Sequence, residues 1–197
     1  MRIAVDLDGV LADTIVTFCT ILNKRYSTHF TADTFVRWNA WEIANITKDE
    51  FFQTLDEAWF SWKDIPSIEE NIGEKLTQIR PFGKVHIVTG RSLDTVRPAK
   101  RWLKEHKVSY DRFVRTPSSM AKAELSYDVF IDDSAELMSL LSSRVNTYGI
   151  LYTQPWNRNA SIMKRIFRVE RWAQIPKLLR HVSATNARLW VSSLELR

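Results

Sequence analysis

Two short apolar runs, far apart in the chain, each end in a pair of acidic residues. Arg2–Val5 leads into Asp6-Leu7-Asp8, and Val129–Ile131 leads into Asp132-Asp133. In a parallel α/β sheet, neighbouring strands end at the same edge, and ligands bind there. Carboxylates that are buried together repel one another, so their placement at one edge indicates a bound cation or a role in phosphate chemistry. The pattern therefore predicts a parallel sheet with an acidic site at its carboxyl edge.

Short apolar runs alternate with longer helical patterns along most of the chain, which is typical of βαβ units. The predicted strands are Arg2–Asp6, Lys84–Thr89, Arg112–Arg115, Asp128–Asp132 and Thr147–Tyr152. Right-handed crossovers would place helices on both faces of this sheet. The predicted fold class is α/β, with a Rossmann-like parallel-sheet core and a small inserted α-helical cap.

Helical spacing and capping residues predict where the helices lie. The first helix is predicted from apolar residues at helical intervals, namely Leu11, Ile15, Phe18, Leu22 and Tyr26. Further helix starts are predicted from capping boxes at Thr47 and Ser67, a first-turn proline at Pro98, and an N-cap at Ser134. The single cysteine, Cys19, falls among the apolar positions of the first helix and is expected in the core.

The first two predicted strands are separated by too many residues for one crossover helix. We expect residues 1–13 and 81–181 to form the core, and residues 14–80 to form a helical cap insertion with its connecting helices. The cap itself would span roughly Tyr26–Pro66 and stand above the carboxyl edge. Residues 182–197 are expected to form a C-terminal tail or an extra helix.

Composition narrows the choice of partners and compartment. The chain of 197 residues carries a net charge of +5 without a long Lys/Arg run, so a solvated basic surface is favoured over a nucleic-acid footprint. One cysteine excludes a disulfide framework and a cysteine metal site. No signal peptide precedes the first strand and no apolar stretch approaches the roughly 20 residues of a membrane span. We therefore expect a cytoplasmic protein with no membrane partner.

The acidic pairs have the chemistry of a magnesium site. Asp6 and Asp8, with one or both of Asp132 and Asp133, would offer the hard oxygen ligands that Mg²⁺ prefers. Zinc is disfavoured because the four histidines lack ligand spacing. An isolated aspartate at such a position would be only a cap or turn residue, but four at two strand ends favour a cation site.

A second chemical signal follows the predicted strand Lys84–Thr89. Thr89-Gly90-Arg91 would present a hydroxyl and exposed backbone N–H groups, which suit phosphate oxygens. Taken alone, this tripeptide fits an ordinary strand-to-helix turn equally well. Lys122, ten residues before Asp132, is by itself indistinguishable from a solvated surface lysine.

Together these segments resemble the four motifs of the haloacid dehalogenase superfamily of phosphohydrolases. The matching residues, in order, are Asp6–Val10, Thr89–Arg91, Lys122 and Ile131–Ser134. The resemblance covers most of residues 1–180, and the insertion between the first and second motifs corresponds to that superfamily's helical cap.

A narrower likeness is to the deoxyribonucleotidase branch, the 5′(3′)-nucleotidases. It is carried by Asp6–Asp13, Trp59–Trp62 with Ile65-Pro66, the spacing from Lys122 to Asp132, Leu151–Asn157, and Arg171-Trp172. One segment departs from the pattern: where that branch continues its second motif as Thr-Ser-Pro, this chain has Thr89-Gly90-Arg91. Substrate identity is therefore left open.

The resemblance implies Mg²⁺-dependent phosphoryl transfer through an aspartyl phosphate. Asp6 would be the nucleophile and a metal ligand, and Asp8 the acid/base that also contributes its backbone carbonyl to the metal. Asp133 would complete the metal ligands, and Asp132 would orient Lys122 or a metal-bound water. Thr89, Gly90 and Lys122 would hold the phosphate oxygens.

The cap is expected to decide specificity. Its candidate residues for stacking on a base are Trp38, Trp41, Trp59 and Phe60, with Arg91 beside them in the second motif. Each ring is equally suited to the cap's own apolar core.

The predicted function is hydrolysis of a small phosphomonoester by a monomer or homodimer, with (deoxy)nucleoside monophosphates as the leading substrates. A sugar phosphate or another small phosphoester is the alternative within the same chemistry. A non-catalytic phosphate-binding protein is the alternative from another class, although a pure binder needs no Asp6/Asp8 pair. A nucleic-acid processor would rest on a basic stretch that more simply forms a solvated face, made of Arg158, Lys164, Arg165, Arg168 and Arg171.

Overall fold

The structure is a computed structural model that describes residues 1–194, with side chains described for residues 1–185. Six parallel strands form one sheet in the order β3-β2-β1-β4-β5-β6. The strands are β1 (Arg2–Val5), β2 (Lys84–Thr89), β3 (Arg112–Arg115), β4 (Val129–Asp132), β5 (Tyr148–Tyr152) and β6 (Ile166–Val169). The predicted α/β fold class is confirmed, and the five predicted strands agree within one residue at each end.

The sixth strand, β6, is absent from the sequence prediction. Of the basic residues that predict a solvated face here, Arg158, Lys164 and Arg171 are exposed. The strand itself was missed: β6 pairs in parallel with β5 and buries Ile166 and Val169. The half-buried Arg168 donates hydrogen bonds to the carbonyl oxygens of Asn157 (3.1 Å) and Ala160 (2.8 Å). A cation can occupy this edge strand because the neighbouring loop supplies its acceptors.

The helices are α1 (Thr14–Tyr26), α2 (Ala40–Ala44), α3 (Lys48–Phe60), α4 (Ile72–Thr77), α5 (Val96–Glu105), α6 (Ala135–Ser142) and α7 (Ile175–Leu194). Thr47 forms the predicted capping box of α3, and the Ser134 hydroxyl accepts from the Leu137 N–H of α6 at 3.2 Å. Pro98 lies in the first turn of α5, as expected. Residues 182–194 continue α7 instead of forming a separate tail, and residues 195–197 lie outside the described residues.

The predicted helix start at Ser67 is wrong. Ser67 pairs with Ala12 in an isolated bridge, and α4 begins only at Ile72 after Asn71 in a left-handed conformation (φ 55°). Glu70, which would be the capping-box partner of Ser67, is exposed, and the neighbouring Glu69 side chain bonds to Tyr152, Trp172 and Lys75. The conformation of this segment is therefore held by tertiary contacts and not by a local helix cap.

The first helix also differs in detail from its prediction. Leu11 is buried but precedes α1, and Tyr26 at its end is 43% exposed. Ile15, Phe18 and Leu22 are buried as predicted. The predicted apolar stripe is therefore confirmed over the middle of the helix and not at its two ends.

The insertion between β1 and β2 has an apolar cluster of its own. This cluster joins α1 to α2, α3 and the short turn before α2, and its buried members are Ile15, Phe18, Cys19, Leu22, Phe35, Ala40, Phe51 and Leu55. Burial raises the pKa of the Cys19 thiol to about 12, so the cysteine acts as a core residue, as expected. Two further clusters cover the two faces of the sheet.

The two ends of the insertion meet beside the carboxyl end of β1. The Asp13 N–H donates to the Pro66 carbonyl at 2.9 Å, and the Ile68 N–H donates to the Leu11 carbonyl at 2.8 Å. The helices between these points are therefore anchored next to Asp6 and Asp8. No described helix is both long and apolar enough to cross a membrane.

Candidate active site

The candidate site lies where β1 and β4 run side by side at the centre of the sheet. The chain proceeds outward from β1 to β2 and β3, and from β4 to β5 and β6 in the opposite direction. Such a reversal opens a crevice at the carboxyl ends of the two strands, where doubly wound α/β proteins bind ligands. Asp6 and Asp8 follow β1 at this crevice, and β4 ends there at Asp132, so the predicted acidic edge is present.

A glycine turn brings the first pair of aspartates against the second. Gly9 has φ +70°, and a Cβ on it would lie 2.4 Å from the Asp133 Oδ2 atom. A side chain at position 9 would therefore meet both a strained backbone and a carboxylate. The Gln154 side chain holds this turn by donating to the Gly9 carbonyl at 2.7 Å.

Lys122 lies between the two acidic pairs. Its Nζ atom is 2.8 Å from Asp6 Oδ1 and 2.8 Å from Asp132 Oδ2. Only 1% of Lys122 is exposed, because the short 3₁₀ helix Met120–Glu124 carries it beneath the site. The Ser134 N–H holds the other Asp132 oxygen at 2.9 Å. The lysine that sequence alone could not separate from a surface residue is a buried ion-pair partner.

Burial and crowding shift the acid–base behaviour of this cluster. Burial raises the pKa of Asp6 to about 7, and Asp132 and Asp8 raise it while Lys122 opposes the shift. Burial raises the pKa of Asp133 well above its ordinary value, and the charges of Asp132, Asp6 and Asp8 raise it further. Burial lowers the pKa of Lys122, but Asp132 and Asp6 outweigh that effect and raise it overall. Lys122 is therefore a permanent ammonium facing carboxylates that are costly to keep charged.

The donor set fits a hard divalent cation. Carboxylate oxygens of Asp6, Asp132 and Asp133 lie within 4.8 Å of one another, and all three residues are buried. One lysine cannot balance three buried carboxylates, so the cluster has room for a further positive charge. Oxygen ligands of this kind suit Mg²⁺.

Asp8 occupies a different environment from Asp6, although only Leu7 separates them. Its Oδ1 atom accepts hydrogen bonds from the Thr14 hydroxyl (2.7 Å) and the Trp59 indole N–H (2.8 Å). Its Oδ2 atom lies 3.0 Å from Arg91 Nε. These donors come from α1, from α3 and from the loop after β2.

The Thr89-Gly90-Arg91 segment follows β2 at the same edge of the sheet. Thr89 is buried, and its hydroxyl accepts from the Arg91 N–H at 3.2 Å. A Cβ on Gly90 would lie 2.6 Å from the Ser119 backbone nitrogen, so the loop leading to Lys122 packs directly on this glycine. The second and third motifs are therefore in contact.

The aromatic residues expected to stack on a nucleobase differ in how far they are exposed to solvent. Trp59 is fully buried and packs edge-on against Trp102 (ring centroids 6.3 Å apart), so it offers no free face and the stacking expectation is wrong for this residue. Trp41 is half-buried against Phe51 in the cluster of the insertion. Trp38 and Phe60 are exposed, at 38% and 58%.

Sequence reasoning used the segment after β5 for the family likeness but assigned it no contact, and in the structure it supports Asp133. The Trp156 indole N–H donates to Asp133 Oδ2 at 2.9 Å, and the Asn157 amide donates to the Asp133 carbonyl at 2.8 Å. The signal available in the sequence was a group of three side-chain donors soon after a predicted strand, namely Gln154, Trp156 and Asn157.

Comparison with known proteins agrees with this geometry. Residues 1–187 match the model of the family described as 5′ nucleotidase, deoxy (pyrimidine), cytosolic type C. The chain belongs to this family. It is therefore a 5′-nucleotidase-like phosphatase of the haloacid dehalogenase type, as the motifs predicted. The alternative of a non-catalytic binding protein is not favoured for a member of this nucleotidase family.

Solved structures share the fold of this nucleotidase-family chain at low sequence identity. A haloacid dehalogenase-like hydrolase from Xanthomonas campestris has a TM-score of 0.60 and 14% identity, covering 95% of this chain and 98% of its own. A haloacid dehalogenase-like protein from Streptococcus pneumoniae gives 0.61 and 14%, with coverage of 88% and 95%. CbbY from Rhodobacter sphaeroides, solved in complex with phosphate, gives 0.56 and 13%, with coverage of 88% and 95%. No curated protein sequence matches the chain significantly.

Proposed function

We propose that this protein hydrolyses phosphomonoesters in two steps through Asp6, with Mg²⁺ as cofactor and (deoxy)nucleoside monophosphates as substrates. The observation that carries the proposal is the meeting of Asp6, Lys122, Asp132 and Asp133 at the crevice between β1 and β4. A carboxylate nucleophile splits hydrolysis into two displacements at phosphorus.

The Asp6 carboxylate is oriented by contacts to one oxygen. Its Oδ1 atom accepts from the Leu7 N–H at 2.7 Å and lies 2.8 Å from Lys122 Nζ. The other oxygen, Oδ2, is thereby left to attack phosphorus. The new bond joins Oδ2 to phosphorus, and the bond from phosphorus to the ester oxygen breaks.

Asp8 would supply the proton that this ester oxygen needs as it leaves. It would then take a proton from the water that attacks the aspartyl phosphate, which releases inorganic phosphate and restores Asp6. Lys122 and Thr89 would hold the phosphoryl oxygens. Mg²⁺, held by Asp6, Asp133 and the Asp8 backbone carbonyl, would neutralise charge between two approaching anions.

The nucleotide substrate is supported by the family description and by the segments shared with the deoxyribonucleotidase branch. Arg91, at the position where that branch has proline, is the main reason to test sugar phosphates beside nucleotides. A screen of phosphate release with Mg²⁺, run on nucleotides and on sugar phosphates, decides between these two substrate classes. A nucleotidase gives rates that depend on the nucleobase.

The central test is the Asp6→Asn variant. We expect kcat to fall more than about 1,000-fold on every substrate, because the amide cannot form the phosphoenzyme. Asp128→Asn is the matched control: Asp128 precedes the same strand β4 at the opposite edge of the sheet, where it bonds the Arg2 N–H at 2.6 Å. Near-normal turnover by Asp6→Asn would exclude Asp6 as nucleophile.

A further inference from the structure

The carboxylate of Asp8 is fixed by side chains from the insertion as well as from the core. Trp59 on α3 donates to Oδ1 at 2.8 Å, and Arg91 from the loop after β2 meets Oδ2 at 3.0 Å. An indole N–H can only donate, so Oδ1 is held as an acceptor. Rotation of the carboxylate about its Cβ–Cγ bond would break these contacts.

Arg91 is itself held by α3. Its Nη1 atom lies 3.6 Å from Asp56 Oδ1, one turn before Trp59 on the same helix. Nη1 is buried and makes no hydrogen bond to any described residue. One face of α3 therefore reaches Asp8 twice, directly through Trp59 and indirectly through Asp56 and Arg91.

We propose that Trp59 and Arg91 are positioning residues that aim the Asp8 carboxylate at the leaving-group oxygen. The inference rests on the proposed function, since it assumes that Asp8 protonates that oxygen. Trp59 is then part of the insertion's contribution to chemistry, in place of the stacking role expected from sequence. A displacement of about 1 Å in a catalytic group can lower a rate about 100-fold, so these contacts matter to kcat.

Leaving groups of different basicity separate positioning from general structural support. An alkyl phosphomonoester, such as a nucleoside monophosphate or glycerol phosphate, needs its leaving oxygen protonated. p-Nitrophenyl phosphate releases a stabilised phenolate and needs little help from an acid. A misplaced Asp8 therefore slows the alkyl ester far more than the aryl ester.

The test is Trp59→Phe, which removes the N–H and keeps most of the ring. We expect kcat to fall about 10- to 100-fold on the alkyl ester and less than about 3-fold on p-nitrophenyl phosphate. Trp102→Phe is the matched control, because the Trp102 indole is equally buried and donates instead to the Ile65 carbonyl at 2.8 Å. It removes the same kind of bond and should leave the alkyl-to-aryl ratio unchanged.

Arg91 gives a second, independent variant. Arg91→Gln should show the same selective loss, and Arg91→Lys should recover part of it because the charge beside Asp8 is kept. Asp56→Asn, which leaves all three Asp8 contacts in place, should show a smaller loss of the same kind. Thermal melts confirm that each variant is folded before rates are compared.

The outcomes distinguish this inference from the proposed function. Asp8→Asn sets the reference, with a selective loss on the alkyl ester. If Asp8→Asn shows that selectivity while Trp59→Phe and Arg91→Gln slow both esters equally or neither, the positioning roles are wrong and the proposed function stands. If Asp8→Asn shows no selectivity, the acid role of Asp8 fails, and the inference fails with it.

Discussion

At the scale of single residues, the first motif shows how neighbours in sequence acquire different chemistry. Asp6 is buried against Lys122, and burial raises its pKa to about 7. The Asp8 side chain is 23% exposed and is held by neutral donors and Arg91. The chain leaves β1 after Val5 and bends at Leu7, so Asp6 meets Lys122 while Asp8 meets donors that include Trp59 of the insertion. The two carboxylates therefore have separate surroundings, although only Leu7 lies between them.

Asp133 gives a prediction at this scale. Asp133→Asn removes one of three like charges buried together, while its amide oxygen can still accept from Trp156. In metal-free protein we expect the variant to be more stable than the natural chain by about 1–3 kcal/mol, because a costly buried charge is gone. Urea unfolding with a chelator measures this difference. The same variant should lose most activity with Mg²⁺, and lower stability without metal would contradict the electrostatic argument.

At the scale of elements, Glu69 links the end of the insertion to the sheet through its hydrogen bonds. Its Oε1 atom accepts from the Tyr152 hydroxyl (2.6 Å) and the Trp172 N–H (2.7 Å), and its Oε2 atom accepts from Lys75 at 2.6 Å. Glu69 thereby connects α4, the end of β5 and the turn before α7. Burial raises the pKa of Glu69, but these donors outweigh burial and hold it below its ordinary value.

Glu69→Gln tests this junction. We expect a loss of about 1–3 kcal/mol at neutral pH, because a partly buried charged acceptor with three donors is replaced by a neutral amide. A lowered carboxyl pKa contributes stability above the ordinary value of 4.5, and that contribution is lost as the pH falls. The difference between variant and natural chain should therefore shrink below about pH 4.5. Glu70→Gln, at an exposed neighbour, is the control, and an equal effect there would remove the special role of Glu69.

At the scale of the whole molecule, the sheet order places the candidate metal site between β1 and β4. These strands begin the two halves of the sheet, so an ion bound to Asp6 and Asp133 would hold the halves together at their shared edge. An ion that binds only the folded chain stabilises it by mass action.

Mg²⁺ should therefore raise the thermal midpoint and restore activity after chelation. At 100 times Kd the stabilisation is about 2.7 kcal/mol, which for a chain of this length corresponds to about 5–10 °C. Differential scanning fluorimetry with Mg²⁺, against potassium chloride at equal ionic strength, measures the shift. Full activity after exhaustive chelation would exclude the metal-assisted route.

The sequence by itself determined the local parts of this protein. Apolar runs predicted five strands within a residue, and Thr47 and Ser134 predicted the starts of α3 and α6, because periodicity and capping act over a few residues. The paired aspartates predicted an acidic edge, because parallel strands must end together.

Only the tertiary structure decided which distant groups meet. Nothing near Lys122 in the chain distinguishes it from a surface lysine; the packing of its loop on Gly90 buries it between Asp6 and Asp132. Glu69 accepts hydrogen bonds from Tyr152 and Trp172, which lie 83 and 103 residues away, and Trp59 bonds Asp8 across 51 residues. Such contacts are fixed by the folded packing of many elements at once, so no local pattern encodes them.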